Sequence, residues 1–109
     1  MGYCAYGYGD IEIQNTQDVL NIISKYESQF DMIDMNKSVD KIYINLSIDG
    51  NYNEDSIYDF LREIAPYVLN CEEFEFRGED NCYWRFVYKG GRFYEQNGYI
   101  EYEEPGNVI

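Results

Sequence analysis

Carboxylates at alternate positions are the chemically active groups that stand out in this chain. Three pairs of acids are separated by a single residue, within segments that alternate apolar and polar side chains: Asp10 and Glu12, Glu73 and Glu75, Glu101 and Glu103. If these segments are β-strands, the two carboxylates of a pair lie on one face, about 6.5–7 Å apart. Backbone phosphates of nucleic acid have a similar separation, so such rows could occupy a basic groove that holds DNA or RNA.

Tyrosines accompany the paired acids. The chain contains 13 tyrosines, and tyrosine supplies rigid, amphipathic contact area at a low cost in conformational entropy. Six of them lie among or near the acids: Tyr3, Tyr6, Tyr8, Tyr43, Tyr94 and Tyr99. We therefore predict a partner-binding surface made of Asp10, Glu12, Glu73, Glu75, Glu101, Glu103 and Tyr99. The alternative, that any solvated sheet face of a very acidic protein has this pattern, remains open.

The net charge indicates what kind of partner this surface would meet. Twenty-one acidic residues against eight basic ones, with no histidine, leave a formal net charge of -13. A small domain needs a net charge of only about 2–8 for solubility. The excess favours a basic protein partner and disfavours free DNA or RNA. Because no apolar run approaches the roughly 18 residues of a membrane span and the start lacks a signal-peptide pattern, we expect a cytoplasmic protein without membrane contact.

Enzymatic chemistry has little support in the sequence. Without histidine, catalytic schemes of the Ser-His-Asp and Cys-His types are impossible. The fragment Gly7-Tyr8-Gly9 precedes a predicted strand, whereas a phosphate-binding loop follows a strand and opens a helix, so we interpret it as structural. A domain of this size also offers little room for the substrate cleft that a carboxylate pair would need. We predict that the protein is not an enzyme.

Three cysteines, Cys4, Cys71 and Cys82, are candidate zinc ligands. Their odd number and wide spacing argue against a disulfide framework and agree with a reducing compartment. If residues 72–77 and 83–88 form a hairpin, Cys71 and Cys82 lie at opposite ends of it, on the order of 15–20 Å apart. Free, partly buried thiols and no cofactor are therefore expected, with zinc as the alternative.

Hydrophobic periodicity predicts the elements that must position these groups, within one domain over residues 1–109. Alternation predicts strands at Tyr8–Gln14 and Lys41–Asp49, and spacing of three and four predicts a helix after each. Asn15 or Thr16 would cap the first helix and Asn53 or Asp55 the second, which Pro66 would kink or end. We interpret Gln29–Asp40 as a loop and Asp49-Gly50-Asn51 as a turn.

The C-terminal part of the sequence is predicted to form hairpins. Strands are expected at Glu72–Arg77, Cys82–Lys89, Arg92–Gln96 and Tyr99–Glu103. In the second of these, Trp84 shares a face with Phe86 and Tyr88, and Arg85 on the other face would pair with Glu75 or Glu95. The element order β-α-β-α-β-β-β-β predicts an α+β fold, a mainly antiparallel sheet of about six strands with two helices on one face.

Four short motifs resemble a group of small bacterial and phage proteins of unknown function: Met1-Gly2-Tyr3, Phe76-Arg77-Gly78-Glu79-Asp80, Trp84-Arg85-Phe86-Val87, and Gly91 followed by Tyr99-Ile100-Glu101-Tyr102. No catalytic residue is assigned in that group. In size and acidity, though not in motif, the chain is also similar to anti-CRISPR proteins, which inhibit RNA-guided nucleases by direct binding and some of which bind zinc. This likeness implies an inhibitor acting in the cytoplasm of a bacterial host cell.

Two functional hypotheses follow. The first is a small acidic inhibitor or modulator, a nucleic-acid mimic that blocks a basic nucleic-acid-binding protein such as a CRISPR effector nuclease. The alternative is a small zinc-binding or structural accessory domain whose acidity only confers solubility.

Overall fold

The computed structural model describes residues 3–98, with the side chain of Glu73 excepted. The elements in chain order are β1 (Tyr3–Gln14), α1 (Gln17–Tyr26), β2 (Met32–Lys37), β3 (Lys41–Tyr52), α2 (Glu54–Ile64), β4 (Val68–Gly78), β5 (Tyr83–Lys89) and β6 (Arg92–Gly98). The strands form one sheet in the order β2-β3-β1-β4-β5-β6, and every neighbouring pair is antiparallel. The predicted α+β fold, two helices with a mainly antiparallel sheet, is confirmed.

The core lies between the two helices and one face of this sheet. Alternate residues of β3, from Ile42 to Ile48, are buried, and so are Ile11 and Ile13 of β1 beside them. Each helix packs its apolar side against this face, and Val19 of α1 and Phe60 of α2 are among the side chains buried there. Burying a large aliphatic or aromatic side chain contributes about 1.5–3 kcal/mol, so this stripe-on-sheet contact dominates the stability.

Side-chain caps begin both helices at positions that the sequence indicated. Thr16 Oγ accepts a hydrogen bond from the backbone N–H of Val19 at 3.2 Å. Asn53 Oδ1 accepts one from the N–H of Ser56 at 3.1 Å. Helix α2 ends at Ile64, and Pro66 lies in a single 3₁₀ turn that leads into β4, because proline has no N–H to continue the helical ladder.

Two sequence-based interpretations of the second quarter of the chain were wrong. The segment Gln29–Asp40, expected to be a loop, contains the edge strand β2, which pairs with β3 from Met32↔Ser47 to Lys37↔Ile42. The turn expected at Asp49-Gly50-Asn51 is instead the end of β3, with Gly50 opposite Ala5. Gly50 has φ of +135°, a conformation open to glycine within an otherwise extended strand. The order over residues 3–98 is therefore β-α-β-β-α-β-β-β.

Strand β1 is longer than expected because two glycines let aromatic rings lie directly on its backbone. It begins at Tyr3 rather than Tyr8. A Cβ on Gly9 would lie 2.7 Å from the ring of Phe74, and one on Gly7 would lie 2.2 Å from the ring of Phe76. The Gly7-Tyr8-Gly9 fragment lies within β1, not before it as expected, and its glycines make room for the two rings.

The opposite face of the sheet has no helix packed on it within residues 3–98. We call it the open face. It presents the residues that alternate with the buried ones: Tyr6, Tyr8, Asp10 and Glu12 of β1, Tyr43, Asn45 and Ser47 of β3, Glu75 and Arg77 of β4, and Tyr83 and Arg85 of β5. Neither described helix has the length and apolarity needed to cross a membrane.

Candidate protein-binding face

The antiparallel register gathers the predicted acids of β1 and β4 at the centre of the open face. Asp10 lies opposite Glu73, and Tyr8 lies opposite Glu75 on the same pair of strands. Neighbouring strands are about 4.8 Å apart, so Asp10, Glu12, Glu73 and Glu75 occupy adjacent positions. The remaining predicted residues, Tyr99, Glu101 and Glu103, lie outside the described residues.

One hydrogen bond and one ion pair hold two of these acids in place. Asp10 accepts a hydrogen bond from the side-chain amide of Asn45 on β3. Glu12 pairs with Lys41 across the same two strands, with 3.2 Å between Oε1 and Nζ. Both partners of that ion pair are partly exposed, so it contributes little to stability. These contacts orient the two carboxylates without burying them.

Two further acids, Asp34 and Glu72, belong to this group of carboxylates, which we call the acidic patch. The sequence did not predict either of them. Asp34 on β2 lies opposite Asn45, which in turn lies opposite Asp10, so the three residues form one row across three strands. Its strand had been interpreted as a loop. Glu72 is the additional residue where the β1–β4 register shifts between Asp10 and Ile11. Such a bulge depends on pairing with another strand, so no local sequence signal reveals it.

Basic side chains occupy the other end of the open face. The guanidinium of Arg77 lies 5.9 Å from the ring centre of Tyr6. Arg85 lies opposite Glu75 as predicted, but its Nε donates a hydrogen bond to Oε1 of Gln96 at 2.6 Å. Glu95, the other predicted partner of Arg85, is on the helix side of the sheet and accepts a hydrogen bond from Tyr58. The face is therefore polarised, with acids at its centre and arginines toward β5.

Exposed aromatic and thioether groups surround the acidic patch. Tyr8 is 50% exposed and Tyr94 54% exposed, and Tyr6, Tyr43 and Met32 are also exposed. Partial burial, together with the charges of Asp10 and Glu72, raises the pKa of Tyr43, so this phenol stays protonated and can donate hydrogen bonds. Such amphipathic groups are enriched at protein interfaces. The combination of tyrosines with carboxylates suits recognition of another protein.

The three cysteines do not converge on one point. Cys4 pairs with Asn51 near one end of β1, whereas Cys71 pairs with Ile11, seven residues further along that strand. That separation is on the order of 20 Å. Burial raises the pKa of the Cys71 thiol to about 11, and Cys82 is exposed in the β4–β5 connection. Among the described residues, no group of three metal-ligating side chains is placed to hold an ion.

Comparison of the chain with protein-family models, curated proteins and solved structures finds no significant match. The geometry of the open face therefore carries the functional argument by itself.

Proposed function

We propose that this protein is a small acidic inhibitor or modulator that uses its open face to bind a basic nucleic-acid-handling protein. The observation that carries the proposal is the juxtaposition of Asp10, Glu12, Glu73 and Glu75 on two neighbouring central strands, bordered by exposed tyrosines. Like charges directly opposite each other destabilise a sheet. A face that concentrates them despite this cost is suited to a partner that neutralises them.

The dimensions of the open face fit a protein partner. Strands β1 and β3 each contain 12 residues, so they are about 40 Å long, and six strands at a spacing of about 4.8 Å span roughly 24 Å. The face therefore covers on the order of 900 Å², similar to the roughly 800 Å² that each partner contributes to a standard interface.

Charge gives the proposed complex its selectivity and speed. A net charge of -13 steers a basic surface toward the open face and repels nucleic acid. CRISPR effector nucleases hold their guide–target duplex in a positively charged channel, so they are the first class of partner to test. We propose that the protein acts by occupying such a channel in the cytoplasm of a bacterial host, without catalysing a reaction and without membrane contact.

The test begins with an affinity pull-down from nuclease-treated bacterial lysate that expresses candidate CRISPR effectors, at low and moderate salt. Recovery of a basic nucleic-acid-binding protein names the partner, and association kinetics then measure the contribution of the face. We expect Glu73→Lys with Glu75→Lys to slow association at least tenfold, because two charges of the steering patch are reversed. Added salt should slow association of the native protein more steeply than that of the variant.

A matched charge reversal separates the open face from net charge alone. Glu27 is exposed at the end of α1, on the helix side of the molecule, so Glu27→Lys changes the net charge as much as Glu75→Lys does. The proposal requires Glu75→Lys to weaken binding clearly more than Glu27→Lys. Equal effects of the two substitutions would show that the acidity acts without a defined site, and full affinity in the Glu73/Glu75 double variant would refute the placement.

A further inference from the structure

A cavity of about 360 Å³ lies on the helix side of the sheet, at the N-terminal end of α2 where Glu54 lines it, and therefore apart from the open face. Its lining combines three aromatic rings with three carboxylates: Tyr3, Tyr52, Trp84, Glu54, Asp80 and Glu95. We call it the aromatic–acidic cavity. Neither the open face nor the function proposed for it involves these residues.

The aromatic wall is built around Trp84, the only tryptophan in the chain. Its ring centre lies 5.3 Å from that of Tyr52 and 6.2 Å from that of Tyr3. Phe76 stacks nearly parallel to the indole, at 5.7 Å, and fixes its orientation. Faces of tryptophan and tyrosine attract cations because their π electrons carry negative charge, and cages of such rings recognise ammonium groups.

Two carboxylates of this cavity, those of Glu54 and Glu95, share one hydrogen-bond donor, the hydroxyl of Tyr58. Oε1 of Glu54 and Oε2 of Glu95 both lie 2.5 Å from the hydroxyl oxygen of Tyr58, so they are no more than about 5 Å apart. A phenol has one hydrogen to donate. Among the described residues, no basic side chain lies within 4 Å of either glutamate; the ion pairs there involve other acids. The glutamate pair therefore brings two carboxylates close together at the surface without a basic partner among the described residues.

The third carboxylate is held at the rim by a hydrogen bond from Tyr3 to Asp80. This contact exists because Gly78 has no side chain: a Cβ there would lie 1.6 Å from the Tyr3 hydroxyl oxygen. The hydrogen bond lowers the pKa of Asp80 and raises that of Tyr3 to about 12. Asp80 is therefore charged and Tyr3 is a hydrogen-bond donor at neutral pH.

Two polar atoms of the same wall are buried and form no hydrogen bond of ideal geometry among the described residues. They are the hydroxyl oxygen of Tyr52 and the indole nitrogen of Trp84. Tyr52 is only 7% exposed, and burial raises the pKa of its hydroxyl, which therefore stays neutral. Buried polar groups are rarely left unpaired. The indole N–H of Trp84 lies close enough to this hydroxyl to act as its hydrogen-bond donor, which lowers the pKa of Tyr52 against the effect of burial. The two polar atoms therefore serve each other, and the rings present their carbon surfaces to the cavity.

We propose that the aromatic–acidic cavity binds an organic ammonium group, either the side chain of a lysine in a partner protein or a free alkylamine. The rings of Trp84 and Tyr52 would contact the alkyl carbons next to its nitrogen, and Glu54 and Glu95 would balance its charge. An inorganic cation fits less well, because hard metal ions require several oxygen ligands and no such group occurs among the described residues.

The single tryptophan provides the assay. n-Butylammonium chloride is titrated into the full-length protein while Trp84 fluorescence and the one indole N–H resonance are recorded, with sodium chloride at equal ionic strength as the reference. We expect a saturable change with a dissociation constant of roughly 1 mM, the range of a single small cation. A blocked Gly-Lys-Gly peptide distinguishes the two sources: tighter binding than butylammonium indicates a partner lysine, and weaker binding indicates a free amine.

Two glutamine substitutions test the site. Glu95→Gln keeps the hydrogen bond to Tyr58 but removes a charge, and it should weaken butylammonium binding about fivefold. Glu27→Gln removes one charge at the end of α1 and should leave that affinity unchanged. The proposal is overturned if butylammonium causes no saturable change beyond that of sodium chloride, or if the Glu54→Gln, Glu95→Gln double variant binds as tightly as the native protein. The indole resonance itself reports whether each variant is folded.

Discussion

Substitution of Gly7 by alanine tests whether the close contact between β1 and β4 organises both the open face and the aromatic wall. Gly7 lies opposite Phe76 in the sheet. An alanine Cβ would lie 2.2 Å from Cδ1 of the Phe76 ring and 2.5 Å from the backbone oxygen of Glu75. The ring can turn, but the carbonyl belongs to the strand itself. The substitution therefore has to push β4 away from β1.

The expected cost follows from these distances. Overpacking a well-filled interior costs about 1–3 kcal/mol, and we expect about 3 kcal/mol for Gly7→Ala because part of the clash is with backbone. Phe76 also contacts Tyr52, Phe74, Trp84 and Phe86, so displacing its ring disturbs the whole cluster. For a domain of this size, 3 kcal/mol corresponds to a fall in Tm of roughly 12 °C or more.

Urea unfolding, followed by Trp84 fluorescence and far-ultraviolet circular dichroism, measures this cost. Two other glycines provide a graded comparison. The three atoms nearest to a Cβ on Gly9 all belong to the ring of Phe74, at 2.7 Å and beyond, and a Cβ on Gly98 would lie 3.9 Å from Tyr83. We expect the free energy of unfolding to fall most for Gly7→Ala, less for Gly9→Ala, and by less than about 0.5 kcal/mol for Gly98→Ala.

The reasoning is refuted if Gly7→Ala is within about 0.5 kcal/mol of the native protein, or if Gly98→Ala costs as much. If Gly7→Ala does not fold, the order of the Gly9 and Gly98 variants still tests the argument, because an added Cβ meets a ring at close range only at Gly9.

Three further perturbations concern the helix caps, the buried thiol and the acidic patch. Thr16→Ala and Asn53→Ala should each lower the free energy of unfolding by about 1 kcal/mol, since each cap satisfies one helix N–H; a change below 0.3 kcal/mol in both would contradict the cap assignment. Because the pKa of Cys71 is raised to about 11, its contribution to stability is complete below the ordinary thiol pKa and is lost as the pH rises toward 11. The urea midpoint should therefore fall between pH 8 and pH 10.5 by less in Cys71→Ala than in the native protein; equal falls would exclude this source. Glu73→Gln should stabilise the fold by about 0.5 kcal/mol, because Glu73 lies opposite Asp10 and opposed like charges are unfavourable; a loss of thermal stability would count against the repulsion argument.

Local pattern was sufficient for the elements that bury one face. The alternation from Ile42 to Ile48 and the apolar stripes after Thr16 and Asn53 predicted β3 and both helices, because burial selects side chains at the period of the element. The same reasoning does not predict strand β2. Five of its six residues are exposed, so no core imposes alternation on an edge strand, and its pairing with β3 is what makes it a strand. The turn predicted at Gly50 was wrong for a related reason. Glycine favours a turn locally, but pairing with β1 places Gly50 opposite Ala5 within the sheet.

Charge, the absence of histidine and the alternate spacing of Asp10 with Glu12 and Glu73 with Glu75 are properties of the sequence alone, and the proposed protein-binding role starts from them. Only the tertiary structure decided which strands are neighbours. Register brought Asp10 opposite Glu73 and added Asp34 to the same row. It also brought Tyr3, Tyr52 and Trp84 around one cavity, although they lie far apart along the chain. Periodicity determines which face a residue occupies, whereas neighbours across a sheet depend on long-range pairing that no local window contains.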